Sequence, residues 1–274
     1  MKQTVPELRI DRYPPEKPKF KSAILLVHGL WTGSWCWQTW ATHFCNLGWD
    51  CWAVNLRGRS ETTSAGTSMS VSVTLELIAE DLTRVTNSFS SPPIVLAHSS
   101  GALVALQAAK ETTFSALVLA SPLPPRNAAS PRSRALRLLR LKYLPLMFLG
   151  HSFRIEEKDL RKNFLAPLAE KVQAEISRKT VAESSQLVQE LLKSSVAIEP
   201  SRVRCPSLVL AGSQDQLIPS ASSRALAAWL GADFREYPDQ GHWMIEAKGE
   251  SIVRDIHRWL VQTLGDDVLL TELS

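Results

Sequence analysis

The sequence is poor in cysteine and lacks the patterns of a metal-binding or disulfide-stapled protein. It has four cysteines among 274 residues, with no Cys-x-x-Cys pair and no metal-ligand spacing of cysteine and histidine. Reduced thiols in a cytoplasmic protein are therefore expected, and a Cys45–Cys51 disulfide is the alternative. Glycine-rich phosphate loops and dinucleotide fingerprints are also missing. The sequence predicts no metal and no other cofactor.

Long apolar runs and a strong charge of one sign are missing as well. No run approaches the roughly 18 apolar residues that a membrane span needs, and the first ten residues lack the apolar core of a secretory signal. The longest apolar region, residues 136–149, is interrupted by three basic residues and a proline. The formal net charge of +4 does not indicate a nucleic-acid partner. We therefore expect a soluble, cytoplasmic protein.

Short apolar runs alternate with helix-length amphipathic stretches along most of the chain. Runs such as residues 23–27, 93–97 and 116–120 are typical of strands buried on both faces of a parallel sheet. Residues 250–264 repeat apolar side chains at the spacing of one helical face. This alternation predicts an α/β protein with a mostly parallel, doubly wound sheet.

The alternation stops between residues 122 and 202. This segment begins with a proline-rich stretch and continues as several predicted helices without a clear strand. Because ligands bind at the carboxyl ends of parallel strands, such an insertion after a central strand predicts a helical cap, or lid, over the mouth of the sheet. We predict a core domain of residues 1–121 and 203–274 and a cap of residues 122–202.

The turn after one predicted central strand indicates the chemistry. A nucleophilic serine at a sharp strand-to-helix turn needs small residues two positions before and after it, because strand and helix approach closely there. Ser99 has Ala97 and Gly101 at these positions. For Ser100 the preceding position would be His98, which is too large. Ser99 is therefore the candidate nucleophile.

A serine hydroxyl also needs a base, and the base needs an orienting carboxylate. Asp215 follows the apolar run 208–210, and His242 lies between a short predicted strand and the last predicted helix. The order Ser99, Asp215, His242 is the order of nucleophile-elbow hydrolases. Asp239 is the alternative acid, because it lies close to His242 in sequence.

An acyl-transfer intermediate needs two backbone N–H donors for its oxyanion. The residue after the nucleophile, Ser100, supplies one predicted donor. The loop after the first strong strand supplies the other, since Gly29 allows a close backbone approach and places the Leu30 N–H beside it. His28 is expected to brace this loop.

These motifs together resemble the α/β-hydrolase superfamily over nearly the whole chain. Residues 28–37, His-Gly-Leu-Trp-Thr-Gly-Ser-Trp-Cys-Trp, are similar to the opening of its capped serine-nucleophile branch of esterases and hydroxynitrile-lyase-like proteins. Residues 55–60 resemble the loop after the next strand. Ala97 stands where the family usually has glycine, a change that the small-residue requirement tolerates. Trp243 stands where cyanide-handling relatives are expected to have lysine, which argues against lyase activity.

The sequence thus predicts a cofactor-independent serine hydrolase, carboxylesterase-like or lipase-like, with an α/β-hydrolase fold. Its expected partner is a small to medium apolar ester or thioester, cleaved through an acyl-enzyme. Carbon–carbon bond hydrolysis with the same triad is an alternative, and a triad-bearing small-molecule receptor is another. Trp31 and Trp243 are the candidate substrate contacts. A monomer and a homodimer are both compatible with the sequence.

The predicted cap combines apolar and basic residues. Its leucines indicate an apolar inner face, which favours a lipophilic substrate group. Arg134, Arg137 and Arg140 form either a solvated helix face or a contact with an acidic substrate or an anionic membrane surface.

Overall fold

A seven-stranded sheet forms the centre of the computed structural model, which describes residues 8–58, 73–128, 131, 133–148, 150–192, 196–246 and 249–270. In chain order the strands are β1 (Ile10–Tyr13), β2 (Ile24–Val27), β3 (Cys51–Val54), β4 (Ile94–His98), β5 (Ala116–Ala120), β6 (Ser207–Gly212) and β7 (Asp233–Tyr237). Their order across the sheet is β1-β3-β2-β4-β5-β6-β7. All neighbouring strands are parallel except β1 and β3, which are antiparallel. The predicted α/β fold with a mostly parallel sheet is confirmed.

The central strands form where the sequence has its apolar runs. Every residue of β2, β4, β5 and β6 is buried, as expected for strands covered on both faces. The edge strands differ, because β1 and β7 contain no fully buried residue. Strand β1 is not predicted from the sequence, because its residues Ile-Asp-Arg-Tyr have no buried-strand pattern.

Helices flank the sheet and connect its parallel strands. Those of the core are α1 (Gln38–Asn46), α2 (Leu75–Asn87), α3 (Gly101–Ala108), α8 (Ser220–Leu230) and α9 (Glu250–Leu264). Helix α1 packs against α9, and α2 packs against α3. Thr74 caps α2 by accepting a hydrogen bond from the Leu77 N–H at 3.2 Å. Residues 71 and 72 before this helix lie outside the described residues, as do Arg59 and Ser60 of the predicted loop 55–60.

The segment predicted as a cap, residues 122–202, lies between β5 and β6; we call it the cap segment. Its helices are α4 (Arg134–Phe148), α5 (Glu157–Leu160), which continues as a π-helical turn (Arg161–Leu165), α6 (Glu170–Lys179) and α7 (Ser185–Leu192). Helix α4 packs against α7, and α7 packs against α2 of the core. In its described part the only strand-like pairing is a bridge between Phe153 and Glu183. Residues 129, 130, 132, 149 and 193–195 of the segment lie outside the described residues.

Among the described residues, no helix has the length and apolarity needed to cross a membrane.

Candidate active site

A strained turn joins β4 to α3 at Ser99. Its backbone φ is +55°, a left-handed conformation that is uncommon for a residue with a side chain. The Ser99 N–H donates to the carbonyl oxygen of Ala120 at 3.0 Å, which holds the turn against β5. A Cβ atom on Gly101 would lie 2.6 Å from the carbonyl oxygen of His28. This contact explains why the position two residues after Ser99 must be small.

The three residues predicted as nucleophile, base and acid lie together in one chain of hydrogen bonds. Ser99 Oγ lies 2.8 Å from His242 Nε2, and His242 Nδ1 lies 2.9 Å from Asp215 Oδ2. Asp215 follows β6, and His242 lies between β7 and α9. Because the carboxylate accepts at Nδ1, the proton of a neutral imidazole lies there, and Nε2 is left to accept from the serine hydroxyl.

The second carboxylate oxygen of Asp215 is also bound. Asp215 Oδ1 accepts from the Leu217 N–H at 2.9 Å and from the Ile218 N–H at 2.8 Å. These bonds hold the buried carboxylate with one oxygen aimed at His242. Asp239, the alternative acid, is exposed and accepts from Gln214 Nε2 at 3.0 Å. The carboxylate bound to His242 is therefore that of Asp215.

His98 supports the loop that contains His242. Its Nε2–H donates to the backbone carbonyl of His242 at 2.9 Å, and its ring lies edge-on to Trp37 and Trp243. Burial, together with the nearby His242, lowers the pKa of His98 to about 3. The ring is thus neutral at physiological pH and serves as a fixed donor. The sequence places His98 beside the turn but gives no sign of this contact, because its partner is 144 residues away.

The predicted oxyanion loop lies directly beside the Ser99 turn. A Cβ atom on Gly29 would lie 3.1 Å from Ser99 Cβ, so the close approach depends on glycine. His28 braces the loop, since its Nδ1–H donates to the Gly29 carbonyl at 2.8 Å while Nε2 accepts from the Leu56 N–H at 3.2 Å.

The two predicted oxyanion donors differ in their environments. The Leu30 N–H donates to Ser100 Oγ at 2.9 Å. The Ser100 N–H lies at the start of α3, where backbone N–H groups have no acceptor within the helix. A ligand atom between these two groups would therefore compete with the Ser100 hydroxyl for the Leu30 N–H.

The cap segment forms hydrogen bonds with the backbone of Trp31, the residue after Leu30. Trp31 has a φ of +60°, and its N–H donates to Glu183 Oε2 at 3.2 Å. Its carbonyl accepts from the Val181 N–H at 3.0 Å. Glu183 is completely buried. The cap segment thus binds both backbone polar groups of Trp31, a contribution of Glu183 that no sequence motif indicates.

A narrow apolar cavity opens at Ser99. Its free space is about 20 Å³, room for roughly one water molecule. Trp31 is among its lining residues, as predicted for a substrate contact. Of the described residues around the cavity none carries a charge; they are Leu30, Trp31, Ser99, Ser100, Leu123, Leu136, Leu139, Tyr143, Ile155, Phe164, Leu192, Leu217 and Ile218.

Trp243, the other predicted substrate contact, is not among the lining residues. Its ring is buried, stacks on Trp35 with 6.0 Å between ring centroids, and lies edge-on to His98. The side chain therefore packs against Trp35 and His98 and lies outside the lining of the cavity at Ser99. The cap residue Phe164 lies on the cavity side instead, edge-on to His242 at 5.5 Å.

Metal-binding side chains do not converge in the described part of the chain. No group of three or more His, Cys, Asp and Glu side chains there could hold a metal ion. All four cysteines are free, so the structure contains no Cys45–Cys51 bridge.

Comparisons with known proteins agree with this architecture. Similar structures include a monoacylglycerol lipase of Paleococcus ferrophilus (21% identity, 94% of this chain and 99% of that chain covered, TM-score 0.70). An esterase of Thermogutta terrifontis is also similar (20%, 93% and 93%, 0.64), as is a protein described as the non-heme bromoperoxidase BpoC of Mycobacterium tuberculosis H37Rv (17%, 96% and 98%, 0.74). At these identities the likeness shows the fold alone.

The sequence comparisons give a family but no curated relative. No curated protein matches the chain. The model of the alpha/beta hydrolase family matches residues 24–254, a span that contains the Ser99 turn, Asp215 and His242. The match to the family model and the topology of the sheet together identify this chain as a member of the alpha/beta hydrolase family.

Proposed function

We propose that the protein is a serine hydrolase that cleaves a carboxylic ester or thioester of a small to medium apolar substrate. The observation that carries this proposal is the hydrogen-bonded chain from Ser99 through His242 to Asp215 at the base of an apolar cavity. Two of the similar structures are an esterase and a monoacylglycerol lipase, which is compatible with ester hydrolysis.

In the first half of the reaction, Ser99 Oγ attacks the substrate carbonyl while its proton passes to His242 Nε2. The Asp215 carboxylate stabilises the imidazolium that forms. The tetrahedral intermediate then collapses, the bond to the alcohol or thiol breaks, and His242 gives its proton to the leaving group. The product is an acyl-enzyme on Ser99.

Water completes the cycle by the same steps. His242 accepts a proton from a water molecule as it attacks the acyl-enzyme, and then returns the proton to Ser99 Oγ as the carboxylic acid leaves. No redox step occurs, so this chemistry requires no cofactor.

The oxyanion of both intermediates would be held by the N–H groups of Leu30 and Ser100. Because the Leu30 N–H is bound to Ser100 Oγ, the Ser100 hydroxyl must give up this bond when the oxyanion forms. Rotation about one side-chain bond is enough for the exchange. The backbone around the Leu30 N–H is held from either side, because His28 donates to the Gly29 carbonyl and Glu183 accepts from the Trp31 N–H.

The cavity lining supports an uncharged substrate group. Tyr143 presents its ring there, while its hydroxyl donates to Asp159 at 2.7 Å and accepts from the Glu156 N–H at 2.8 Å. Burial and the bond to Asp159 raise the pKa of Tyr143 to about 12, so the hydroxyl stays protonated. A bare carboxylate or phosphate would lose its hydration here without gaining a cationic partner from the described lining residues.

Substrate entry requires the cavity to enlarge, because about 20 Å³ cannot hold an acyl chain. Seven of its lining residues belong to the cap segment: Leu123, Leu136, Leu139, Tyr143, Ile155, Phe164 and Leu192. We therefore propose that the cap segment acts as a lid.

The free thiols favour a reducing compartment, which supports a cytoplasmic location.

A fluorophosphonate probe and a chain-length series of p-nitrophenyl esters test the proposal. We expect the probe to label the wild type and Ser100→Ala, but not Ser99→Ala, and we expect Ser99→Ala to lose ester turnover. Ser100→Ala is the matched control, because it removes the adjacent hydroxyl. Equal labelling of Ser99→Ala and wild type, or a wild type that neither reacts nor turns over any ester, would contradict the proposal.

A further inference from the structure

Helix α4 exposes an apolar stripe on its outer side. Leu138, Leu141 and Phe148 are 54%, 67% and 68% exposed, and Pro145 between them is also exposed. Their spacing of three, four and three residues places all four along one face of the helix. We call these four residues the outer stripe. Three of the five large apolar side chains most exposed in the described chain belong to it.

The opposite side of α4 faces the candidate active site. Leu136, Leu139 and Tyr143 are buried and line the cavity at Ser99. The helix is therefore apolar on both sides. The apolar residues of its inner side are accounted for, because they pack in the protein interior. Exposed leucines that repeat along one face instead indicate a surface that binds another apolar surface.

Unpaired arginines adjoin the outer stripe. Arg134 and Arg137 are exposed, Arg140 is half-buried, and none of the three makes an ion pair with a residue that the structure describes. Lys142 on the same helix behaves differently, since it pairs with Glu156 at 2.5 Å and Asp159 at 2.6 Å. The three arginines are thus available for an anionic partner.

The cap segment as a whole is basic, whereas the rest of the chain is acidic. Residues 122–202 contain 15 lysines and arginines against 8 aspartates and glutamates, a net charge of +7. The remaining residues contain 16 against 19, a net charge of −3. An overall charge of +4 therefore conceals a strongly basic cap segment on an acidic core, which would orient the molecule in the field of a negatively charged surface.

We propose that the outer stripe of α4 and its arginines dock on the surface of an anionic phospholipid bilayer. The leucines and Phe148 enter the boundary between headgroups and acyl chains, while Arg134 and Arg137 bind lipid phosphates. The helix then lies parallel to the membrane plane, with its inner side still over Ser99. Docking involves no catalytic step, so it can be tested independently of the proposed ester hydrolysis.

A second copy of the chain is a less suitable occupant of this surface. Two cap segments that met face to face would bring two net charges of +7 together, and like charges oppose association. A bilayer with phosphatidylglycerol supplies both an apolar phase and negative charge.

Co-sedimentation with vesicles tests the proposal, using the full chain and the Ser99→Ala variant. With vesicles of phosphatidylcholine and phosphatidylglycerol (7:3) in 0.1 M NaCl, we expect both proteins to pellet to the same extent. We expect at least tenfold weaker binding to pure phosphatidylcholine and a marked loss of binding at 0.5 M NaCl. Equal binding by Ser99→Ala would separate docking from catalysis.

Two pairs of matched variants identify the surface. Leu138→Ser with Leu141→Ser should weaken binding at least tenfold, whereas Leu269→Ser with Leu270→Ser, exposed leucines outside the cap segment, should not. Arg134→Gln with Arg137→Gln should weaken binding about 20-fold in low salt, whereas Arg254→Gln with Arg258→Gln on α9 should not. All four exchange exposed residues, and circular dichroism should show unchanged folding.

Three results would overturn the proposal. The first is a wild type that does not pellet with anionic vesicles. The second is equal loss of binding in the α4 variants and their controls, which would indicate attraction by overall charge alone. The third is a concentration-dependent dimer, measured by light scattering, that Leu138→Ser with Leu141→Ser abolishes while vesicle binding is absent; this would assign the stripe to a second copy.

Discussion

The core and the cap segment contribute different parts of the candidate site, by different physical means. Ser99, Asp215 and His242 lie on loops at the carboxyl ends of β4, β6 and β7, joined by hydrogen bonds of 2.8 and 2.9 Å. The cap segment supplies seven of the apolar or aromatic residues that line the cavity, and no member of that hydrogen-bonded chain. Hydrogen bonds are directional and apolar contacts are not. The proposed chemistry therefore depends on the core, whereas the proposed selection of an apolar substrate depends on the cap segment.

The Trp31 peptide is the point where the two regions meet. It belongs to the core loop that contains the Leu30 N–H, but Glu183 and Val181 of the cap segment bind it. Movement of the cap segment would thus disturb the proposed oxyanion donor as well as the cavity walls. Substitutions chosen from each region can separate these contributions.

The largest effect is expected for Asp215→Asn. This change keeps the shape of the side chain but favours the wrong His242 tautomer, so we expect kcat for a p-nitrophenyl ester to fall by about 10⁴-fold. Asp239→Asn is the matched control and should change kcat less than twofold. If the two variants lost activity equally, Asp215 would not be the orienting acid.

The next largest effect is expected for Glu183→Ala. Loss of the carboxylate leaves the buried Trp31 N–H without this acceptor and loosens the oxyanion loop, so we expect kcat to fall about 10- to 100-fold. KM should change much less, because Glu183 is not among the cavity-lining residues. Glu175→Ala, at an exposed acid of α6, is the control. A rise in KM with unchanged kcat would show that Glu183 acts on the cavity and not on the loop.

A third effect concerns His98 and the stability of the core. Burial and the neighbouring His242 lower its pKa from 6.5 to about 3, so the folded state excludes a proton that the unfolded state binds. The associated stability is present above pH 6.5 and is lost as pH falls toward 3, at about 1.4 kcal/mol per pH unit.

Urea unfolding of wild type and His98→Phe between pH 8 and pH 5 measures this contribution. The variant should be less stable at pH 8, where it lacks the hydrogen bond to His242, but its free energy of unfolding should decline less steeply below pH 6.5. Parallel curves for the two proteins would contradict the buried, neutral state of His98.

The smallest effect is expected for Leu139→Ala in the cap segment. Leu139 lines the cavity, so truncation should enlarge it and shift the preferred p-nitrophenyl ester toward longer acyl chains. We expect kcat/KM for these esters to rise about 3- to 10-fold relative to short ones, as a change of a few methylene groups allows. Leu138→Ala, on the outer side of the same helix, should leave the preference unchanged. Identical shifts in both variants would place the effect outside the cavity.

Local rules predicted the catalytic constellation because its positions depend on nearby sequence. Small residues beside Ser99, an apolar run before Asp215 and a final helix after His242 can each be read within about ten residues. The same rules missed β1, whose edge position leaves no buried pattern. They could not find the contacts of His98 or Glu183, since these partners lie 144 and 152 residues away in the chain.

The sequence by itself determined the α/β architecture, because strands buried on both faces and amphipathic helices leave periodic patterns along the chain. It also determined which serine, aspartate and histidine to compare, because turn sterics act between neighbouring residues. Only the tertiary structure decided which carboxylate meets His242, which tryptophan lines the cavity, and how the cap segment holds the Trp31 peptide. These outcomes depend on packing between elements that are remote in sequence, and hydrogen bonds across such distances leave no local pattern.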